Sequence, residues 1–169
     1  MSNKKEKFIT ILLIIPFLIW ITVIIVNAIA FDRYCKDYLK LAADANTIEM
    51  AKTELNIALK YMEENNLTDG YTSVIYKSPG EDVYFWYNNI KSARNELNKI
   101  NDSTTSPLEK TNVLMKLRET LLDDKNGDVS VTAPPGISLY PNNVAYTIFG
   151  IISIICLIIS IWIFLEIFL

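Results

Sequence analysis

The sequence predicts an all-α membrane protein in which two transmembrane helices flank a small three-helix extracytoplasmic domain with a short irregular or β-like connector. Three observations lead to this prediction. Two uncharged apolar segments, 8–30 and 145–165, lie near the ends of the 169-residue chain. Basic residues precede the first segment. Between the segments, apolar residues recur at three- and four-residue steps, which is the spacing of one helix face.

Each apolar segment is long enough to cross a bilayer. Segments 8–30 and 145–165 contain 23 and 21 residues without a charged side chain, and a transmembrane helix needs about 20 apolar residues. A cleaved signal peptide is the alternative for the first segment, because Ala28-Ile29-Ala30 has the small-x-small form of a cleavage site. The apolar run 8–26 is longer than a usual signal-peptide core of about 7–15 residues. Its length favours an uncleaved anchor.

The basic residues Lys4, Lys5 and Lys7 set the predicted orientation. By the positive-inside rule they keep residues 1–7 in the cytoplasm. Residues 31–144 then lie outside the cytoplasm, and residues 166–169 end at the cytoplasmic interface. We therefore expect an integral protein of a cell (plasma or inner) membrane, without a cytoplasmic output domain such as a kinase.

Three helices are expected in residues 31–144. The first carries a long apolar stripe, with a possible break near residue 45 because Asn46 and Glu49 have capping-box spacing. The stripe comprises Tyr34, Tyr38, Leu41, Ala45, Ile48, Ala51, Leu55, Ala58 and Met62. The second and third helices follow Ser78-Pro79-Gly80-Glu81 and Ser106-Pro107-Leu108-Glu109, which both place Ser at the N-cap, Pro at the first position and Glu at the third.

Two stretches lack a helical pattern. Residues 70–76 alternate and are rich in β-branched and aromatic side chains, so they indicate a short strand. Residues 128–143 contain three prolines and indicate an extended connector to the second apolar segment. Within these stretches, the segments 72–76 and 129–132 are candidates for pairing with each other.

Four aromatic residues stand in a row at 84–87, near the start of the second helix. If the buried stripe of this helix includes Val83 and Ile90, Trp86 lies near its centre and Tyr84 and Phe85 lie more than 100° away. Tyr84 and Phe85 are therefore our candidate partner contacts. Two alternatives remain open. The loop 70–77 can fold over both rings, or the rings can line a ligand pocket.

The second apolar segment has its small residues on one face. Gly150, Ser153 and Ser160 are candidate transmembrane packing residues, because small side chains allow helices to approach closely in lipid. Their partner is the first apolar helix or another protein. Neither segment contains an Asp, Glu, Lys, Arg or His side chain, which disfavours a transporter or a channel.

The chemistry of an enzyme is missing from the sequence. The chain has no histidine, and no catalytic or nucleotide-binding motif matches. We predict no catalytic residue, no cofactor and no metal site, since the acidic run around Gly127 lacks the spacing of a calcium loop. Cys35 and Cys156 are expected to be too far apart for a disulfide. Asn66 and Asn101 begin sequons for glycosylation, which matter only in a eukaryotic secretory pathway.

Charge and composition restrict the functional classes further. Residues 31–144 contain 13 Lys and Arg against 17 Asp and Glu, a net charge of −4, unlike a nucleic-acid-binding domain. We expect a non-catalytic accessory or protein-interaction subunit that contacts the lipid bilayer and a protein partner or a second copy. The alternative is an extracytoplasmic ligand-sensing module that signals through a partner. A hydrolase would need a nucleophile and a base that the sequence does not offer.

Overall fold

The computed structural model describes residues 2–100, 104–125 and 127–168, and this part of the chain is mostly helical. Helix α1 (Ser2–Phe31), a π-helical turn (Asp32–Lys36) and α2 (Asp37–Ala43) follow one another as a single helix. With α1 and α2 counted as one helix, the described residues contain five helices. The other four are α3 (Ile48–Glu64), α4 (Val83–Lys99), α5 (Pro107–Leu121) and α6 (Val144–Phe168). Two short strands, β1 (Leu122–Lys125) and β2 (Asp128–Val131), separate α5 from α6.

The chain divides into two compact units. One, the apolar helix pair, contains residues up to 28 and from 143 onward, and so includes α6 and most of α1. The other, the helical unit, spans Ile29–Asn142. Helices α3, α4 and α5 lie within the helical unit, as does α2, which continues the helix that begins as α1.

A break at residues 44–47 separates α2 from α3, near the position that the sequence suggests. The Oγ1 atom of Thr47 accepts a hydrogen bond from the backbone N–H of Met50 at 3.2 Å and caps α3. The predicted capping residue, Asn46, is therefore one position too early. Thr47 is in the extended conformation typical of an N-cap. The helix is therefore interrupted here, and the stripe of apolar residues continues in α3.

The two Ser-Pro motifs begin different structures. Ser106 caps α5 as predicted, since its Oγ accepts a hydrogen bond from the N–H of Glu109 at 3.2 Å and Pro107 is the first helical residue. Ser78 and Glu81 do form a capping box, but it encloses a short 3-10 turn, Pro79–Glu81. Helix α4 begins after this turn, where the Oδ1 atom of Asp82 accepts a hydrogen bond from the N–H of Phe85 at 3.0 Å.

One apolar core holds the helical unit together. Most of the predicted apolar stripe of α3 is fully buried, and it packs with apolar residues of the other helices. The largest fully buried core side chains are Leu39, Leu55, Met62, Val83, Ile90, Leu97 and Leu121. Such burial is the dominant favourable contribution to folding, so residues of α2, α3, α4 and α5 form a shared core.

The connector after α5 contains a β-hairpin that the sequence pattern did not predict. Strands β1 and β2 are antiparallel, with Leu122 opposite Val131 and Lys125 opposite Asp128. The predicted pairing of 129–132 with 72–76 is therefore wrong. A hairpin closes a much shorter loop, which costs less chain entropy. Asn126 lies outside the described residues, as do Asn101 and the rest of the second sequon.

The stretch predicted as a strand at 70–76 forms only one β-bridge, between Tyr71 and Asp82. Backbone hydrogen bonds from Thr72 N–H to Glu81 (3.1 Å) and from Val83 N–H to the Gly70 carbonyl (2.9 Å) accompany the bridge. Gly70 has a φ of +86°, a conformation that suits glycine. The segment therefore holds the chain before α4 in place without extending into a sheet.

Helices α1 and α6 form the apolar helix pair. Each is long and apolar enough to cross a membrane. Large apolar side chains remain exposed along both helices, among them Ile15, Ile25, Ile154 and Ile158. The helices pack against each other through a narrow face and leave most of their apolar surface uncovered.

Candidate functional site

The aromatic run at the start of α4 divides into two exposed and two buried side chains. Tyr84 and Phe85 are each 61% exposed, whereas Trp86 and Tyr87 are each 7% exposed. Two side chains of the preceding loop, Ile75 and Tyr76, are exposed as well. The interpretation in which this loop covers Tyr84 and Phe85 is therefore wrong. Both candidate partner-contact residues lie at the surface of the helical unit.

The buried members of the run attach α4 to its neighbours. The rings of Trp86 and Phe31 lie 6.4 Å apart between centroids. The hydroxyl of Tyr87 donates a hydrogen bond to the Glu63 carboxylate of α3 at 2.7 Å. Burial and this hydrogen bond raise the pKa of the Tyr87 phenol, while the nearby ammonium group of Lys91 acts in the opposite direction. Trp86 and Tyr87 therefore have structural roles in holding α4 against the core.

Phe85 and Trp86 also border a cavity, which we call the Phe85 cavity. Its volume is about 490 Å³, and its walls come from the 3-10 turn, α4, the end of α5 and the β-hairpin with the residues that follow it. Tyr84 is not among its lining residues. The indole Nε1 of Trp86 is buried and has no hydrogen-bond partner among the residues that the structure describes. The two neighbouring exposed aromatics thus differ in surroundings, since Phe85 lines this cavity and Tyr84 does not.

A second opening of about 410 Å³ lies further along α4, between α4 and α5. It shares Asn89 and Thr120 with the Phe85 cavity. At this end, the ammonium group of Lys116 pairs with the Glu96 carboxylate at 2.9 Å. The two openings together form a groove along one side of α4, with a neutralised charge pair at one end.

The predicted packing residues of α6 lie against α1. A Cβ atom built on Gly150 would come within 2.6 Å of the Trp20 Nε1 atom. The Ser160 hydroxyl donates a hydrogen bond to the Thr10 carbonyl at 3.0 Å. Ser153 is fully buried, although its own hydroxyl bonds within α6. The structure thus brings all three small residues to the packed face of the apolar helix pair.

The α1 side of this face was not identified from the sequence. The Trp20 ring occupies the space next to Gly150. The backbone carbonyl of Trp20 accepts a hydrogen bond from the Tyr146 hydroxyl at 3.0 Å. Thr10 is buried opposite Ser160. A polar atom inside a long apolar run is the signal that identifies such positions, because it needs a partner away from lipid. Tyr146 carries that signal in the sequence, whereas the Thr10 hydroxyl bonds to the Glu6 carbonyl within α1 and the backbone carbonyl of Thr10 meets Ser160.

The ionisable groups do not form a reactive cluster in the described part of the chain. No group of three His, Cys, Asp or Glu side chains there is arranged to hold a metal ion. Cys35 is fully buried within the π-helical turn, and burial raises the pKa of its thiol to about 12. Cys35 therefore has the surroundings of a core side chain, in which the reactive thiolate form is disfavoured.

Comparison with known proteins does not assign this arrangement to a family. No family model matches the chain, and no match was found among curated proteins or among solved structures.

Proposed function

We propose that this protein is a non-catalytic accessory subunit of a membrane, which binds a protein partner through its helical unit and its membrane face. The exposed aromatic pair Tyr84 and Phe85 is the observation that carries the proposal. Both rings project from a helix whose opposite face is firmly packed, and aromatic side chains are enriched at protein interfaces. A rigid, apolar surface of this kind suits recognition of another protein or a second copy.

The apolar helix pair supports the membrane part of the proposal. Its packed face uses Gly150, Ser160 and Trp20, while the large side chains Ile15 and Ile154 and their neighbours remain uncovered. In water, apolar surface of this extent would favour association. In a bilayer, the same side chains would contact lipid, and tight packing of small residues would hold the two helices together.

The proposed topology places residues 1–7 in the cytoplasm and residues 31–144 outside it. We expect a Thr104→Cys variant in a Cys156→Ala background to react with a membrane-impermeant maleimide in intact cells. Thr104 is exposed, whereas Ser103 lies outside the described residues. A Ser2→Cys variant is the matched control and should react only after the membrane is opened. Labelling of the Thr104→Cys variant only in opened cells would reverse the orientation.

The partner-binding surface can be tested by substitution. Purification in mild detergent, followed by mass spectrometry, should recover a bound protein or a second copy with the natural chain. We expect the double variant Tyr84→Ala, Phe85→Ala to keep its fold and to recover at least about tenfold less partner, because aromatic hot-spot residues each contribute on the order of 2 kcal/mol or more.

The matched control for that experiment is Leu108→Ala, Met115→Ala on α5. These side chains are 72% and 57% exposed, so the control removes a similar amount of exposed apolar surface. It should recover as much partner as the natural chain. A natural chain that purifies as a lone monomer would contradict the proposal, and so would equal loss of partner in both double variants.

A ligand-sensing module that signals through a partner is the second candidate. The Phe85 cavity favours it, because a volume of about 490 Å³ lies within the usual range of small-molecule sites. A ligand that binds only the folded state raises the melting temperature. A small molecule with this effect on the helical unit would therefore support the sensing function over the accessory function.

A further inference from the structure

We propose that the loop at residues 73–77, which we call the Ile75 loop, inserts into the interface of the bilayer that the apolar helix pair is proposed to cross. A lipid surface is then the partner of two side chains that the helical unit leaves uncovered, Ile75 and Tyr76, which are 87% and 83% exposed. The inference rests on the membrane part of the proposed function. It is independent of the protein partner that Tyr84 and Phe85 are proposed to bind.

The first residues of the helical unit show which end of its helices adjoins an apolar segment. Phe31 directly follows the apolar segment 8–30 and is buried in the core of the helical unit. Its ring lies 6.4 Å between centroids from Tyr61, in the last turn of α3, and 6.4 Å from Trp86, in the first turn of α4. The connection from α3 to α4, which includes the Ile75 loop, therefore begins and ends close to Phe31.

The last residue of the helical unit, Asn142, lies at the same end. A Cβ atom built on Gly70 would overlap the Asn142 side chain, so these two residues are in close contact. The Gly70 carbonyl accepts a hydrogen bond from the N–H of Val83, the first residue of α4, at 2.9 Å. Asn142 is followed by one residue and then by α6. The chain thus enters both apolar segments from the end of the helical unit that carries the α3–α4 connection.

This end is within reach of the Ile75 loop. The loop begins three residues after Gly70. At no more than about 3.6 Å per residue, the Cα atom of Ile75 lies at most about 18 Å from that of Gly70. A bilayer crossed by both apolar segments would adjoin the same end, because residues 30 and 145 are the outer limits of those segments. The two exposed side chains of the loop are therefore placed near the expected lipid surface.

The side chains of the loop also suit the membrane interface. Ile75 offers apolar surface, and tyrosine, as at Tyr76, is enriched where the bilayer meets water. Lys77 is the only charged residue from 71 to 80, and a lysine attracts anionic lipid headgroups. The Tyr76 N–H donates a hydrogen bond to the Ser73 hydroxyl at 3.1 Å, which lowers the cost of removing that N–H from water. Position and composition together favour a lipid surface over a protein partner.

A nitroxide label at residue 75 measures its depth in a bilayer. The full chain carries Ile75→Cys in a Cys156→Ala background, and burial protects Cys35 from the label. Vesicles contain phosphatidylcholine and phosphatidylglycerol. Electron paramagnetic resonance compares collisions with oxygen, which dissolves in lipid, and with a polar nickel chelate present on both sides. We expect the oxygen-to-nickel ratio to be at least about threefold higher than at a water-exposed label, because apolar and polar solutes partition oppositely.

Two further labels give the aqueous and lipid references. Met50→Cys is the matched aqueous control, because Met50 is exposed and lies in the first turn of α3. It is about 16 Å along the helix from Tyr61, away from the end that carries the Ile75 loop. Ile158→Cys replaces an exposed side chain near the middle of α6. It should give the highest ratio of the three labels if the apolar helix pair lies in lipid.

A substitution in the loop tests whether Ile75 itself causes the insertion. The label is moved to Tyr76→Cys, and the chain is compared with and without Ile75→Ser. We expect the serine to lower the oxygen-to-nickel ratio at residue 76 by at least about twofold, because it removes apolar surface that lipid would cover. Ile75 is exposed, so the serine leaves the core of the helical unit intact.

The results separate this inference from the proposed function. An Ile158 label in lipid, together with a residue-75 label as accessible to nickel as the Met50 label, would overturn the inference alone. Low collision rates with both reagents at residue 75 would show a protein covering the loop and would overturn it as well. So would an unchanged ratio after Ile75→Ser. An Ile158 label in water would overturn the proposed membrane insertion and this inference together.

Discussion

Replacement of Trp86 by alanine is expected to lower the free energy of unfolding of the helical unit by about 3–5 kcal/mol, the usual cost of truncating a buried aromatic side chain. Trp86 is 7% exposed, and its ring lies 6.4 Å from the Phe31 ring between centroids. The substitution removes the indole and leaves a void next to the core. Because small domains are stable by only about 5–15 kcal/mol, this loss is a large share of the total.

Urea unfolding of the full chain in maltoside micelles, followed by far-ultraviolet circular dichroism, measures the change. Tyr84→Ala is the matched control on the same helix and should change stability by no more than about 0.5 kcal/mol, as for most surface positions. If Tyr84→Ala destabilises as strongly as Trp86→Ala, Tyr84 packs in the core and is not available to a partner. If both variants are as stable as the natural chain, the core does not depend on the start of α4.

Replacement of Gly150 by leucine is expected to separate α1 from α6. A Cβ at this position already meets Trp20 Nε1 at 2.6 Å and Trp20 Cε2 at 2.7 Å, so a leucine side chain cannot fit without moving the ring. Overpacking of a tight interface costs about 1–3 kcal/mol, or roughly a 5- to 150-fold change in the ratio of packed to separated helices. Movement of Trp20 would also break the hydrogen bond from Tyr146.

Oxidative cross-linking reports this separation. Thr10→Cys and Ser160→Cys in a Cys156→Ala background place thiols on neighbouring residues of the two helices, since the Ser160 hydroxyl donates a hydrogen bond to the backbone carbonyl of Thr10. After trypsin cleavage between the helices, a disulfide keeps both on one band of a non-reducing gel. We expect Gly150→Leu to reduce this band strongly. Ala145→Leu adds the same kind of side chain at an exposed position of α6 and should not. Equal cross-linking in both variants would contradict packing through Gly150.

Local sequence signals predicted much of the fold because they act within a few residues. The Ser106 cap, the Pro107 start of α5 and the long apolar runs of α1 and α6 all appear in the structure. The start of α4 was placed too early because Ser78 and Asp82 are competing caps, and the chain uses both in succession. The β-hairpin was missed because the Leu122–Lys125 segment lacks the alternating apolar pattern of a strand.

The candidate sites depend partly on contacts between segments that are distant in the sequence. Helical angles were sufficient to separate exposed Tyr84 and Phe85 from buried Trp86. They did not reveal the Phe85 cavity, because its opposite wall comes from residues 130–134, far along the chain. Similarly, Gly150 was identified from its size, but Trp20 was not identified as its neighbour. Contacts between distant segments depend on tertiary packing, which periodicity within one helix does not contain.

The burial of Cys35 has a consequence for the redox chemistry of the chain. In the proposed topology, the helical unit lies in a compartment where exposed thiols are oxidised and can cross-link neighbouring molecules. Cys35 is fully buried, and this burial raises the pKa of its thiol to about 12. At neutral pH it therefore presents almost no thiolate to an oxidant. The helical unit can then carry one unpaired cysteine in that compartment without forming a disulfide to a neighbouring molecule.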